Sequence, residues 1–325
     1  MDFLMPEILV TGATGFVGKA VVQRLLVEDN AGRVVVAVRQ DGQQWPNRVL
    51  PRVTGDLEPS TRWSVALVGV SAVVHCAARV HVMADTAVAP LKEFRRVNVQ
   101  GTLNLARQAA TAGVRRFVFV SSIGVNGAET SRRPFTDQDQ PAPHSPYAVS
   151  KYEAELGLQA LAKETGMEVV IIRPPLVYGP HAPGNFGSLM RWVNRGVPLP
   201  LGAIHNLRSL VSLNNLVDLI LTCLSHPAAG NQTFLVSDGE DLSTTQLLRR
   251  MSAAFGKPAR LIPVPVLALK LGAVLMGKPD LAQRLCGSLQ IDMSKTQKLL
   301  RWTPPFSVDE SLQKAAEGYL REAAV

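Results

Sequence analysis

The opening of this chain leaves few folding choices. A β-branched and apolar run, Glu7–Thr11, enters Thr11-Gly12-Ala13-Thr14-Gly15-Phe16-Val17-Gly18, and an amphipathic segment, Ala20–Leu26, follows. A strand that passes through a G-x-x-G-x-x-G loop into a helix predicts a βα unit. Its glycines let the backbone turn tightly and approach a pyrophosphate at the helix N-terminus. The expected contacts of a bound dinucleotide are Gly12, Thr14, Gly15, Phe16, Val17 and Gly18.

The rest of the first half repeats this alternation. Candidate strands are Glu7–Thr11, Arg33–Val38, Ala72–Cys76, Arg116–Ser121 and Glu168–Arg173. Between them fall helical patterns over Gly15–Glu28, Lys92–Ala112 and Tyr147–Thr165, with a polar, proline-bearing loop at Asn126–Pro146. Such alternation predicts an α/β fold of the Rossmann type, a doubly wound parallel sheet. Beyond Arg173 prolines become frequent, and helical patterns at Leu216–His226 and Thr244–Phe255 sit among loops. Residues 1–173 are therefore expected to bind NAD(P) and carry the catalytic groups. Residues 174–325 are expected to form a smaller C-terminal substrate-binding domain, with segments exchanged between the two.

Composition excludes several classes. Hydrophobic residues make up 46% and charged residues 18%, which argues against disorder. The three cysteines, Cys76, Cys223 and Cys286, are too scattered for a disulfide framework or a zinc site, so no metal is expected and a reducing, cytoplasmic compartment is. Met1–Glu7 shows no secretion signal. The apolar segment Leu261–Gly277 is interrupted by Lys270 and prolines, too short to span a bilayer, and reads as a buried or lid-like helix rather than a membrane contact. The formal net charge of +8 comes from scattered residues without interleaved aromatics, so an anionic small molecule is expected rather than nucleic acid.

Tyr147-Ala-Val-Ser-Lys151 places a phenol and an ammonium four residues apart on one helix face. The ammonium is expected to lower the phenol pKa towards working pH, where it can exchange a proton with a sugar or carbonyl oxygen. The second strand ends at Arg39. An acidic residue there binds the ribose hydroxyls of NAD, whereas arginine suits the 2′-phosphate of NADP. Arg39 therefore favours NADP(H), and Asp41 keeps NAD(H) open. Asp56, in Gly55-Asp56-Leu57, is placed for the adenine amino group or for a simple turn.

Together these motifs resemble the extended short-chain dehydrogenase/reductase superfamily, in its NAD-dependent epimerase/dehydratase branch. The resemblance rests on Thr11–Gly18, Gly55-Asp56-Leu57, His75-Cys-Ala-Ala78, Asn98-Val-Gln-Gly-Thr102, Ser121-Ser122, Tyr147–Lys151 and Arg173-Pro-Pro-Leu-Val-Tyr-Gly-Pro180. It implies that Tyr147 exchanges a proton at a sugar C4 oxygen, that Lys151 lowers its pKa and holds the nicotinamide ribose, and that Ser122 hydrogen-bonds the reacting oxygen. Ser122 is preferred to Ser121 by its spacing to Gly127 and Tyr147; Ser121 is assigned to the cofactor. Asp56, Leu57, Ala77, Ala78, Asn98 and Pro174 are implied along the cofactor. Leu176 and Arg208 are implied at the nucleotide sugar, the arginine on the diphosphate. Arg284 reads as a surface residue. The resemblance also implies a homodimer through Lys92–Ala112 and Tyr147–Thr165.

Three activities share this machinery. Dehydration needs an Asp-Glu pair after the reacting serine, and Ile123 and Gly124 stand there instead. Arg39 and the departure at Leu176, where relatives carry asparagine, favour reduction of a UDP-4-keto-6-deoxy-N-acetylhexosamine for surface-polysaccharide synthesis, such as O-antigen and lipopolysaccharide. The alternative is a UDP-hexose or UDP-N-acetylhexosamine 4-epimerase. A reductase of non-sugar carbonyls is a further alternative, which Arg208 opposes.

Overall fold

The computed structural model describes residues 7–28, 32–80, 89–277 and 279–323. Residues 1–6, most of the segment from which no secretion signal was read, lie outside that set. The chain runs β1 (Glu7–Thr11), α1 (Phe16–Val27), β2 (Val34–Val38), β3 (Val49–Val53) and β4 (Val70–His75). Next come α2 (Pro90–Phe94), a π-helical stretch (Arg95–Gly101) and α3 (Thr102–Thr111). β5 (Arg116–Val120), α4 (Pro146–Thr165) and β6 (Glu168–Arg173) follow. The second half holds β7 (Leu176–Tyr178), α5 (Gly184–Asn194), β8 (Arg208–Ser212), α6 (Leu213–Ser225), β9 (Thr233–Leu235) and β10 (Asp241–Leu242). Five helices close it: α7 (Thr244–Ala254), α8 (Val266–Leu275), α9 (Pro279–Cys286), α10 (Ser294–Leu300) and α11 (Val308–Ala323).

Seven strands form one sheet in the order β3-β2-β1-β4-β5-β6-β9, and every neighbouring pair is parallel. Its central strands are apolar through their middles, Ile8–Val10, Ala72–Val74 and Phe117–Val120, because helices cover both faces. Val10, Val36, Val74, Val118 and Ile172 enter one buried cluster with α1 and α6. Leu9, Val35, Val73, Phe117 and Ile171 enter another with α3 and α4. This is the period-two alternation of a strand, with apolar residues on both sides. The doubly wound α/β fold expected from the sequence is therefore present. Strand order reverses between β1 and β4, and the crevice beyond their carboxyl ends is where ligands of such sheets bind.

A second sheet, β10-β8-β7, belongs to the later half. A third cluster gathers Tyr178, Phe186, Leu210, Leu248, Met251 and Leu312 around it. The later half also returns to the first sheet: β9 pairs with β6, and Leu216, Ile220 and Trp302 pack in the first cluster.

Leu261–Gly277, expected as a buried or lid-like helix, does hold a helix, α8, but not a buried one. Only Ala273 of α8 is fully buried, and Leu267, Leu271, Val274, Leu275 and Met276 are exposed. Apolarity alone signalled burial, and no element of the described chain covers that side.

Candidate active site

The glycine loop is built for close approach at one point. Gly12 has φ +67°, and a Cβ there would stand 2.8 Å from the Ala77 nitrogen and 2.9 Å from its Cα. A Cβ on Gly18 would collide with the Gly12 carbonyl oxygen, so these two glycines let loop, helix and β4 pack together. Gly15 differs: it is exposed and caps α1 without a side-chain hydrogen bond. The first amides of α1, at Phe16, Val17 and Gly18, lack partners within their helix and present partial positive charge beside exposed Thr14 and Gly15. That cradle fits a dinucleotide pyrophosphate.

Buried His75 fixes the cradle to the sheet. Its Nδ1 lies 2.7 Å from Thr11 Oγ1 and its Nε2 2.9 Å from Thr102 Oγ1. Burial, with Lys151 nearby, pulls its pKa to about 3, so the ring is neutral and bridges two threonines. Thr11 Oγ1 also accepts the Ala77 amide at 3.3 Å. Asn98, in the π-helical stretch, accepts the Arg79 amide at 2.8 Å. It donates to the Arg79 carbonyl and to Ser150 Oγ, both at 3.0 Å. Ser150 Oγ donates to the Tyr147 carbonyl at 2.7 Å, so Asn98 joins the β4 loop to the start of α4.

Tyr147 stands in the first turn of α4, where Pro146 follows the capping Ser145, whose Oγ accepts the Ala148 amide at 3.2 Å. Ser122 caps the short turn after β5, and its Oγ accepts the Gly124 amide at 3.1 Å. A Cβ on Gly124 would lie 3.3 Å from Ser122 Oγ and 3.4 Å from Ala148 Cβ. The serine and the tyrosine's helix turn are thus brought side by side. The two serines are sharply distinguished: Ser121 is buried and donates to Glu155 at 2.5 Å, while Ser122 is half-buried.

Lys151 is buried one turn further on. Its Nζ donates to the Val120 carbonyl at 2.8 Å and lies 4.5 Å from the centre of the Phe119 ring and 5.9 Å from that of Tyr147. Burial pulls the ammonium down to about 8, against the opposing pull of Cys76 and Glu155. Burial also pushes the Tyr147 phenol up to about 12. This corrects the expectation that Lys151 lowers it: the ammonium is directed at a backbone carbonyl, and loss of water around the phenol prevails. Cys76 is likewise pushed up to about 12, which keeps it a thiol rather than a thiolate.

Beneath these groups lies a buried ion pair that sequence reasoning missed. Glu155 takes Arg173 Nε at 3.0 Å and Nη2 at 2.5 Å, and Arg173 Nη1 donates to Asn126 Oδ1 at 2.9 Å. The signal was available, since Glu155 stands four residues after Lys151 and shares its helix face.

The remaining residues take varied positions. Arg39 and Asp56 are exposed at the ends of their segments, with Arg39 Nη1 3.9 Å from Asp56 Oδ1. Leu57 packs under Gly101, where a Cβ would lie 2.9 Å from its carbonyl oxygen. Ala78 is half-buried beside Ala77, and buried Pro174 accepts the Ile123 amide at 2.9 Å. Leu176 is exposed and pairs with Leu210, two residues along β8 from Arg208. Arg208 Nη1 donates to the Gly287 carbonyl at 3.0 Å, and burial lowers its pKa. Arg284 is exposed, as a surface residue should be. Among the described residues, no cluster of His, Cys, Asp or Glu is placed to hold a metal, and no helix is long and apolar enough to cross a membrane.

Comparison with known proteins bears on this arrangement. Residues 8–237 match the NAD dependent epimerase/dehydratase family. The chain is 48% identical to a UDP-glucose 4-epimerase of Vibrio cholerae over 323 residues, 98% of both chains. It is 26% identical to MoeE5, solved in complex with UDP-glucose and NAD, with a TM-score of 0.75 over 98% of this chain and 99% of that one. A UDP-glucose 4-epimerase from Thermotoga maritima, solved with UDP-glucose, shares the fold at 23% identity and a TM-score of 0.76, over 98% and 100% of the two chains.

Proposed function

The chain belongs to the NAD dependent epimerase/dehydratase family, and from that premise we propose that it is a UDP-hexose 4-epimerase. The observation that carries this reading is the likeness, along nearly the whole chain, to a UDP-glucose 4-epimerase at 48% identity. It outweighs Arg39, on which the NADPH-dependent reductase rested. Arg39 is exposed 3.9 Å from Asp56, so its charge already has a partner of opposite sign at the edge of the cofactor crevice. NAD is accordingly the proposed cofactor, as in the MoeE5 complex.

NAD, when bound, supplies a hydride acceptor and donor for C4. The β1–α1 cradle would hold its pyrophosphate, with Asp56 and Leu57 towards the adenosine, and Ala77, Ala78, Asn98, Ser121 and Pro174 along the crevice. Tyr147 is neutral at pH 7 and therefore a proton donor to a C4 oxygen in the reducing direction. In the oxidising direction it can accept that proton only as the phenolate, after its own proton has left to solvent, and the buried Lys151 ammonium, 5.9 Å from the Tyr147 ring, favours that charged form. Ser122 has its oxygen engaged by the Gly124 amide, which leaves its O–H to donate to the reacting oxygen. Ile123 is buried and Gly124 has no side chain, so neither supplies the acid or base that dehydration requires. Residues 174–325 would hold mainly the nucleotide sugar, with Arg208 on the diphosphate and Leu176 beside it. A homodimer would be joined through Lys92–Ala112, which runs from α2 to the end of α3, and Tyr147–Thr165 of α4.

The test is incubation of purified protein with UDP-glucose and no added cofactor. Formation of UDP-galactose supports the epimerase. Stoichiometric NADPH oxidation with UDP-4-keto-6-deoxy-N-acetylglucosamine, without interconversion at C4, overturns it in favour of the reductase.

A further inference from the structure

Helix α8 is apolar on two sides. Val266, Leu269 and Ala273 turn inwards, the first two half-buried against the third core cluster and Ala273 fully buried. Leu267, Leu271, Val274 and Leu275 follow one another at helical spacing on the other side and face solvent, Leu267 at 70% and Leu275 at 88% exposure. With Ile262 and Met276 they account for six of the eighteen large hydrophobic residues exposed among the described residues, all within fifteen positions. A patch this concentrated marks an interaction site; singly scattered exposed apolar residues carry no such meaning.

Charge decides what covers it. Between Phe255 and Ile291 the sequence holds Lys257, Arg260, Lys270, Lys278 and Arg284 against Asp280 alone. That gives +4, half the net charge of +8 within 37 residues. Lys270 on α8 itself and Arg284 on the α9 it packs against are exposed, while Lys257 and Arg260 are exposed beside the end of α5, where they donate to the Asn194 and Gly196 carbonyls. A second copy docking by the same face would set Lys270 and Arg284 against their own counterparts, because a two-fold contact is self-complementary. An anionic surface with an apolar layer beneath it matches both the charge and the hydrophobicity.

We propose that α8 is a foot by which the protein rests on an anionic membrane surface. Leu267, Leu271, Val274 and Leu275 enter the boundary between headgroups and acyl chains, and Lys270 and Arg284 meet lipid phosphates. The foot is fastened to the substrate side. α8 packs on α9, whose end accepts hydrogen bonds through the Leu285 carbonyl from Thr244 Oγ1 at 2.6 Å and through the Gly287 carbonyl from Asn206 Nδ2 at 2.8 Å and Arg208 Nη1 at 3.0 Å. Docking therefore sets the Arg208 strand beside the membrane. It does not depend on which reaction the site performs.

The test is co-sedimentation with vesicles of phosphatidylglycerol and phosphatidylcholine, against phosphatidylcholine alone, for the full chain and for a Leu271→Glu/Val274→Glu variant. The expected result is binding to the anionic vesicles, at least tenfold weaker in the variant, with unchanged turnover of a soluble nucleotide sugar. Failure of the full chain to sediment, or equal sedimentation of the variant, overturns the proposal. So does an oligomer that forms without lipid and is dissociated by the variant, since the face would then join copies of the chain. Turnover of soluble substrate is read separately, so an error in the assigned reaction is not confused with failure of the foot.

Discussion

The floor beneath Tyr147 and the outer face of α8 invert the usual partition of side chains in opposite ways. Under the tyrosine, Glu155, Arg173 and Lys151 are buried, each with a partner: the carboxylate holds the guanidinium by two contacts, and the ammonium is held by a backbone carbonyl. On α8, large apolar side chains are exposed, with nothing over them among the described residues. Burying charge costs stability unless geometry compensates, and exposing apolar surface forgoes stability that burial would give. Neither arrangement is what packing alone would select, so each points to function. The first shapes the electrostatics of a proton-transfer group, and the second meets a surface outside the molecule.

The largest effect is expected in the buried region. Tyr147→Phe should lower turnover by roughly a hundred- to ten-thousand-fold, the range of positioned acid–base groups, while cofactor binding measured by fluorescence changes little. Near-normal turnover would remove Tyr147 from the chemistry. Glu155→Ala strands Arg173 without its carboxylate and should cost about 3–5 kcal/mol in denaturant unfolding, the scale for breaking a buried pair. A loss below about 1 kcal/mol would show that water reaches this floor, and the contrast with α8 would weaken.

Lys151→Met probes the same region through pH. The lysine pKa falls from 10.5 in the unfolded chain to about 8 in the folded protein. Between those values the unfolded chain holds more protons, so stability of the native sequence rises with pH across that window. The burial cost is full below about pH 8 and absent above pH 10.5, an amount of about 3 kcal/mol. The methionine variant, though inactive, should therefore gain on the native protein most at pH 7 and lose that advantage by pH 10.5; parallel pH curves would contradict it. The smallest effect belongs to α8. Leu271→Glu alters an exposed side chain, and its unfolding free energy should stay within about 0.5 kcal/mol of the native value. A loss of 2 kcal/mol or more would mean that this face is covered after all.

How legible these regions were in the sequence follows from the same contrast. Glu7–Thr11 and Glu168–Arg173 were readable to the residue, because strands buried on both faces are continuous apolar runs. β3 was not: Pro51 interrupts it, and its side chains alternate with exposed positions, as suits an edge strand. β9 is three residues long and has meaning only beside β6. Tyr147, Lys151 and Ser122 were legible because spacing puts them on fixed elements. The direction of the tyrosine's pKa shift was not, since it depends on how much water the fold removes and where the ammonium points. The exposure of α8 was hidden for a related reason: an apolar sequence reports that a surface wants to be covered, not by what.

The most direct measurement follows the C4 hydrogen itself. Purified protein is given UDP-glucose deuterated at C4 with no added cofactor, and the UDP-galactose formed is analysed by mass spectrometry and NMR. The account predicts that deuterium stays at C4 in the product and that Tyr147→Phe slows its appearance severely. Loss of the label to water, or no interconversion until NADPH is supplied, would contradict it.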